Sequence, residues 1–292
     1  MSQRLRMPYR VPRDEVDMAW FRGVVHGLRP VEQYFRAEYF GFENVPAEGA
    51  ALVVGNHGPF AIDTPLLVRH TWKERRRVLR MLADRALFTV PIVRDLLAGF
   101  GTLEGEPNAA LHLLAKGNLV GVYPGGVREA FKGPEGRHQV KEYWGKSLGF
   151  VRLAMRAGVP IVPVACAGID DIYVQVKTAK ELERSLVARA LQSYMNNPKY
   201  SVALFAGAGV LPLPSRLVYL VGEPVVMPAH GEEAAKDDAL VARARDEVAE
   251  RLERLIDDAD AKRAAMLGGP LDIAVAAVRD LADSALRRGR RG

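Results

Sequence analysis

His57 and Asp63 are the residues whose types and spacing best suit acid–base chemistry in this sequence. Fully extended, the chain would hold them ~20 Å apart, but the Gly58–Pro59 pair between them predicts a turn that folds the chain back. A carboxylate on one imidazole nitrogen fixes the tautomer, so the other nitrogen can accept a proton from a hydroxyl group. The pair alone leaves open a second interpretation, a histidine that serves only the structure.

A second group of candidate residues follows an apolar segment at 118–123. Gly125 and Gly126 allow close approach to the backbone and expose N–H groups to an anion. Arg128 can hold a phosphate or carboxylate through two hydrogen bonds. Taken alone, the segment also fits an ordinary strand-to-helix turn, and Glu129 also fits an ion-pair partner of Arg128.

Apolar runs and helical periodicities alternate along the chain and predict an α/β fold, a sheet with helices on both faces. Residues 171–197 are predicted to be largely helical. We divide the chain into an N-terminal basic arm with amphipathic helices, a central domain, and C-terminal amphipathic helices with a basic tail; these are residues 1–37, 38–228 and 229–292.

Three blocks in this order resemble the lysophospholipid (glycerolipid) acyltransferase superfamily. Its signature is a His-x4-Asp box, then a Pro-Glu-Gly-x-Arg-Ser-like block and a Val-Pro-Ile-Val-Pro-like block. The corresponding segments here are 57–63, 124–129 and 158–164. The resemblance covers about residues 38–228 and implies a central mixed sheet flanked by helices.

The sequence departs from that signature in three places. Five residues separate His57 from Asp63, Gly125 stands where phosphatidic-acid-forming enzymes have glutamate, and the segment 101–106 has acids and no arginine. These features are similar to the branch of monoacylglycerol and diacylglycerol acyltransferase-like proteins. In that branch the acceptor is often a neutral lipid alcohol.

The resemblance implies acyl transfer from acyl-CoA or acyl carrier protein to a lipid hydroxyl in glycerolipid or phospholipid synthesis. His57 would deprotonate the hydroxyl and Asp63 would orient His57, while a substrate-binding group would line the site. That group comprises Gly125, Gly126, Arg128 and Glu129. We expect no cofactor besides acyl-CoA as co-substrate, and no metal. The alternatives are a catalytically silent acyl-CoA- or lipid-binding protein and a thioesterase.

Charge and composition bear on the location of the protein. The single cysteine excludes a disulfide framework, and no apolar run reaches the ~18 residues of a membrane-spanning helix.

The positive charge of the sequence lies at its two ends. Residues 1–13 and 287–292 contain eight arginines, more than the net charge of +6, so the remaining chain is slightly acidic. Basic ends suit an anionic membrane surface, although a solvated tail is equally compatible. No nucleic-acid-binding motif is present, and we expect a cytoplasmic protein, peripheral on the inner membrane face.

Overall fold

A seven-stranded sheet forms the centre of this computed structural model. The structure describes residues 15–132, 136–177, 204–207 and 211–289, together with residues 185, 186, 189 and 193. The predicted basic arm at 1–13 therefore lies outside the described residues. The strands are β1 Glu38–Phe40, β2 Ala51–Gly55, β3 Leu79–Ala83, β4 Leu103–Glu104, β5 Leu119–Val122, β6 Ile161–Ala167, β7 Val174–Lys177, β8 Leu204–Ala206 and β9 Val218–Val221.

The sheet is mixed, as the resemblance to the glycerolipid acyltransferases implies. Its strand order is β1-β9-β6-β2-β5-β3-β4. Five strands from β6 to β4 run parallel, and β9 with its parallel neighbour β1 runs antiparallel to β6. Because the carboxyl ends of parallel strands meet at one edge, the segments that follow β2, β5 and β6 lie side by side.

Both faces of the sheet are buried. In β2, Leu52 and Val54 join one hydrophobic cluster, whereas Ala51 and Val53 join the cluster on the opposite face. Such a strand reads as a continuous apolar run rather than an alternating one, because successive side chains enter two different cores. The segment therefore has to be covered by helices on both sides.

Helices supply that cover. They are α1 Met18–Gly27, α2 Arg29–Tyr34, α3 Asp63–Arg75, α4 Pro91–Gly99, α5 Pro107–Ala115, α6 Gly126–Ala130, α7 Val140–Trp144, α8 Gly149–Ala157, α9 Glu232–Lys236, α10 Asp238–Met266 and α11 Pro270–Gly289. Within the described residues, no helix is both long enough and apolar enough to cross a bilayer.

The terminal helices share the cores of the sheet. Phe21 and Val25 of α1 are buried in one cluster, and Val248, Leu252 and Ile256 of α10 are buried in the other. Helix α10 packs along β6 and β9. The regions that we divided at positions 37 and 229 are therefore packed together.

One predicted element differs from the structure. Residues 174–177, inside the segment predicted to be helical, form β7, which pairs with β8 as an antiparallel ribbon. The segment Val-Gln-Val-Lys alternates apolar and polar residues with the period of a strand, a local signal that the length of the helical pattern obscured. Most of residues 178–203 lies outside the described residues.

We predict that Leu252→Ala lowers the free energy of unfolding by about 2–5 kcal/mol, because the substitution leaves a cavity between α10 and the sheet. Leu252 is fully buried, whereas Asp258 lies on the exposed face of the same helix. Urea unfolding should show a loss for Leu252→Ala and a change within about 0.5 kcal/mol for Asp258→Ala. Equal effects would contradict the packing of α10 as a core helix.

Candidate active site

The candidate site lies at the carboxyl edge of β2, β5 and β6. His57 follows β2 by two residues, Tyr123 follows β5 directly, and Asp170 follows β6 after a short turn. Residues from separate parts of the chain meet here because β2 is hydrogen-bonded to both β5 and β6. The parallel arrangement thus brings the two candidate segments of the sequence together.

Asn56 fixes the point at which the chain leaves β2. Its side-chain amide donates to the carbonyl of Cys166 at 3.1 Å, and its amide oxygen accepts from the Cys166 N–H at 2.7 Å. Asn56 is buried, so these two bonds satisfy an amide that would otherwise be costly to bury. The start of the His57 turn is consequently tied to β6.

The turn between His57 and Asp63 has an unusual backbone conformation. Pro59–Ala61 form a 3-10 turn, and Phe60 and Ala61 both adopt left-handed backbone angles, with φ of 57° and 56°. Residues other than glycine rarely take this conformation, and it occurs preferentially at functional sites. The turn brings the two side chains into contact, with Nδ1 of His57 3.1 Å from Oδ2 of Asp63.

Asp63 is held in place from several sides. It is buried at the start of α3, and the hydroxyl of Tyr219 donates to its carbonyl at 2.9 Å. Burial alone would raise the pKa of the Asp63 carboxyl, but attraction to His57 and hydrogen bonds from His57 and Tyr123 together lower it. The carboxyl is therefore ionised at neutral pH and can hold the imidazole in one tautomer.

The His57 ring stacks on Tyr123, with centroids 4.1 Å apart and planes 10° from parallel. Burial raises the pKa of the Tyr123 phenol well above its ordinary value, so the ring remains neutral. The side chain of His57 keeps 14% of its surface exposed. With Nδ1 facing Asp63, Nε2 is the nitrogen left for a substrate.

The four predicted substrate-binding residues take different positions. Gly125 is buried, and Gly126 begins α6 at a φ of 52° with open space where a Cβ would point. Arg128 is exposed, and its guanidinium donates to the carbonyl of Tyr143 at 3.1 Å. The guanidinium is thus held by the backbone of α7.

Glu129 does not lie where a substrate-binding residue is expected. Its side chain is completely buried, with one carboxylate oxygen accepting from the His57 N–H at 3.1 Å and the other from the indole N–H of Trp144 at 3.2 Å. The structure therefore differs from the predicted substrate contact, and also from the predicted pairing with Arg128. The short α6 turns Glu129 inward while Arg128 points out.

Lys132 and Asp170 complete the site and were not predicted. The ammonium group of Lys132 donates to the carbonyl of His57 and to Oδ1 of Asp170, both at 2.7 Å. Burial alone would lower the pKa of Lys132, but the carboxylates of Asp170 and Glu129 raise it. The signal in the sequence was a pair of acidic residues, 170–171, that follows the buried strand β6 after Gly168 and Ile169.

The described residues contain no group of three or more histidine, cysteine or acidic side chains placed to hold a metal ion.

Comparisons with known proteins agree with the resemblance. The profile of the family described as Acyltransferase matches residues 36–167, which include every candidate residue named from the sequence. The chain is 30% identical over 261 residues to an uncharacterized protein of Mycobacterium tuberculosis (strain ATCC 25618 / H37Rv), with 88% of this chain and 71% of that protein covered. The chain belongs to the acyltransferase family.

Two further similarities concern this acyltransferase. It is 35% identical over 134 residues to a Homo sapiens protein named DGAT1/2-independent enzyme synthesizing storage lipids, covering 46% of this chain and 40% of that protein. The chain is also similar to the crystal structure of the 1-acyl-sn-glycerophosphate (LPA) acyltransferase PlsC from Thermotoga maritima. The match covers 80% of this chain and 79% of the PlsC chain. The match has 18% identity and a TM-score of 0.47.

The buried Glu129 makes the stability of the acyltransferase depend on pH. Burial raises the pKa of this carboxyl to about 7, although Lys132 and His57 lower it in part. The folded state binds this proton more tightly than the unfolded state does. The contribution of Glu129 to the free energy of unfolding is therefore present at low pH and is lost as pH rises from about 4.5 to about 7.

We predict that Glu129→Gln removes this contribution. Urea unfolding at a series of pH values should give a wild-type free energy that falls relative to the variant, on the order of 3 kcal/mol between pH 4.5 and 7. Parallel curves for the two proteins over that range would show that Glu129 titrates normally in the fold.

Proposed function

We propose that the protein transfers a fatty acyl group from acyl-CoA to a lipid hydroxyl, with His57 as general base and Asp63 orienting it. The observation that carries the proposal is the 3.1 Å contact between Nδ1 of His57 and the buried carboxylate of Asp63. This contact leaves Nε2 of a partly exposed ring to accept a proton, as general base catalysis requires.

The reaction follows from that geometry. Nε2 of His57 takes the hydroxyl proton of the acceptor as its oxygen attacks the thioester carbonyl, and Asp63 stabilises the imidazolium that forms. The new ester bond forms as the carbon–sulfur bond breaks, and the leaving thiolate takes the proton back from His57. The acyl group passes directly to the acceptor, without a covalent bond to the protein.

We propose that the acceptor is a neutral lipid alcohol within the glycerolipids. The segment 101–106 carries two glutamates and no arginine, so it offers no side chain to pair with a phosphate at that position. The name of the human relative, an enzyme synthesizing storage lipids, supports the same class. Acyl carrier protein presents the same thioester as acyl-CoA and is the alternative donor.

We predict that His57→Ala lowers acyl transfer about 10²–10⁴-fold, the usual contribution of a general base, and that Asp63→Asn causes a loss of the same order. The assay uses labelled palmitoyl-CoA with glycerol phosphate, lysophospholipid, monoacylglycerol, diacylglycerol and glycolipid acceptors, read by mass spectrometry. His26→Ala, a change at an exposed histidine of α1, is the matched control and should keep full activity.

Three outcomes of that assay would overturn the proposal. Full activity of a folded His57→Ala variant would remove His57 from the reaction. Release of free palmitate with every acceptor left unmodified would indicate a thioesterase. Binding of palmitoyl-CoA with neither product would indicate a catalytically silent lipid-binding protein.

We also propose that the protein works at the cytoplasmic face of an anionic membrane. The arginines of residues 1–13 and 287–292 carry the positive charge that anionic lipids attract, at about 1 kcal/mol for each well-placed side chain. Large apolar side chains that are mostly exposed, among them Trp20 on α1 and Ile92 on α4, support contact with lipid.

We predict that removal of residues 1–13 and 287–292 weakens sedimentation with anionic liposomes, because eight arginines are lost. The test compares the full chain and the truncated protein on vesicles with and without phosphatidylserine at low and physiological salt. Neutral vesicles serve as the control. Equal binding by both proteins on anionic vesicles would contradict attachment through the tails.

A further inference from the structure

Two buried charged side chains from one short stretch of chain hold the two polar groups of the His57 backbone. Glu129 accepts from the His57 N–H at 3.1 Å, and Lys132 donates to the His57 carbonyl at 2.7 Å. We refer to Glu129 and Lys132 as the main-chain clamp. The general base mechanism uses neither side chain for proton transfer.

Each member of the main-chain clamp is itself anchored. The second carboxylate oxygen of Glu129 accepts from Trp144, which is fully buried, and the ammonium group of Lys132 also binds Asp170. A buried charge costs free energy when it leaves water, and even a good partner does little more than offset that cost. Net stability is therefore a weak explanation for this arrangement. Its effect is to fix the position of a backbone.

The neighbouring glycine leaves the space that Glu129 occupies. A Cβ at Gly125 would lie 2.4 Å from a carboxylate oxygen of Glu129 and 2.5 Å from its Cβ, closer than any real contact. Gly125 therefore contributes to the site by admitting the carboxylate. This gives the Pro-Gly-Gly turn a role that does not require contact with substrate.

The turn that follows His57 has an energetically unfavourable backbone conformation. Phe60 and Ala61, within the turn that follows His57, adopt left-handed angles that cost free energy in residues other than glycine. Such a conformation persists only when surrounding contacts determine it. Asn56 fixes the chain before His57, and the main-chain clamp fixes it at His57 itself.

We propose that Glu129 is a positioning residue for His57: its carboxylate holds the His57 backbone so that the imidazole meets both Asp63 and the acceptor hydroxyl. The inference rests on the proposed function of His57 as general base. Displacement of a catalytic group by about 1 Å can cost 10²-fold in rate. Loss of the carboxylate should therefore lower kcat and leave acyl-CoA binding intact.

The kinetic test compares Glu129→Met, Glu129→Gln and Leu252→Ala in the full-length protein. Methionine is close to glutamate in size but removes both acceptors, and kcat should fall about 10²-fold while KM for palmitoyl-CoA stays within about twofold. Glutamine keeps an oxygen that can accept from the His57 N–H and should restore most of kcat. Leu252→Ala, a core change in α10, controls for lost stability and should keep kcat.

A spectroscopic test does not depend on activity. In protein labelled with ¹⁵N-histidine, which contains six histidines, the His57 amide is identified by its absence in His57→Ala. At pH 8, above the pKa of about 7 for Glu129, its proton resonance should move upfield in Glu129→Gln, because a neutral amide oxygen replaces a carboxylate as acceptor, and should stay in place in Leu252→Ala. This measurement remains available if Glu129→Met fails to fold.

The outcomes separate the positioning role from the proposed function. An unmoved His57 amide in Glu129→Gln, or a kcat loss in Glu129→Met no larger than in Leu252→Ala, would overturn the positioning role. An active His57→Ala variant would overturn the proposed function, while the amide shift would still report the contact with Glu129.

Discussion

The contact between the His57 imidazole and the buried Asp63 carboxylate is the interaction on which the site depends. It joins the end of one strand to the start of a helix across a turn of five residues, and only a folded-back turn permits it. Burial raises the pKa of the Asp63 carboxyl, and attraction to His57 together with hydrogen bonds from His57 and Tyr123 lowers it by more. The contact therefore depends on a fixed backbone at both His57 and Asp63.

The surrounding fold supplies that fixation through the parallel sheet. Asn56 binds Cys166 of β6, Tyr219 of β9 binds the carbonyl of Asp63, and Glu129 from the α6 segment binds the N–H of His57. Each of these residues comes from a different element, and each reaches the same turn. The edge shared by β2, β5 and β6 thus holds both the His57–Asp63 pair and the residues that fix its backbone by hydrogen bonds.

The sequence was sufficient to predict the contact between His57 and Asp63 and an α/β fold, and its resemblance to the glycerolipid acyltransferases implied the mixed sheet and the family. Apolar runs such as β2 reveal strands covered on both faces, and the Gly58–Pro59 pair reveals a turn between two chemically suited residues. Both are patterns of neighbouring residues, which can be recognised in the sequence before the fold is known. The strand order and the inward direction of Glu129 depend instead on contacts between distant segments.

Lys132 shows why the rest could not be predicted. Nothing in its immediate neighbourhood distinguishes it from a surface lysine, since its partners are the backbone of a residue 75 positions away and an aspartate 38 positions away. Only the meeting of the segments after β2 and β6 makes its burial possible. The converse error concerned Glu129, where an adjacent arginine suggested an ion pair that the short helix α6 does not form.

The C-terminal helices extend the same network of charges away from the site. Asp171 follows Asp170, which binds Lys132. Its Oδ2 accepts from the guanidinium of Arg263 in α10 at 2.7 Å, and its Oδ1 lies 2.6 Å from a guanidinium nitrogen of Arg279 in α11. Arg137 bridges both neighbouring aspartates, with nitrogens 3.7 Å from Asp170 and 2.6 Å from Asp171. Because the cluster is largely buried, removing one charge would leave its neighbours uncompensated. The helices beyond the region matched by the family profile are therefore connected to the His57 backbone through Lys132 and the 170–171 turn, so the candidate site and the C-terminal helices belong to one folded unit.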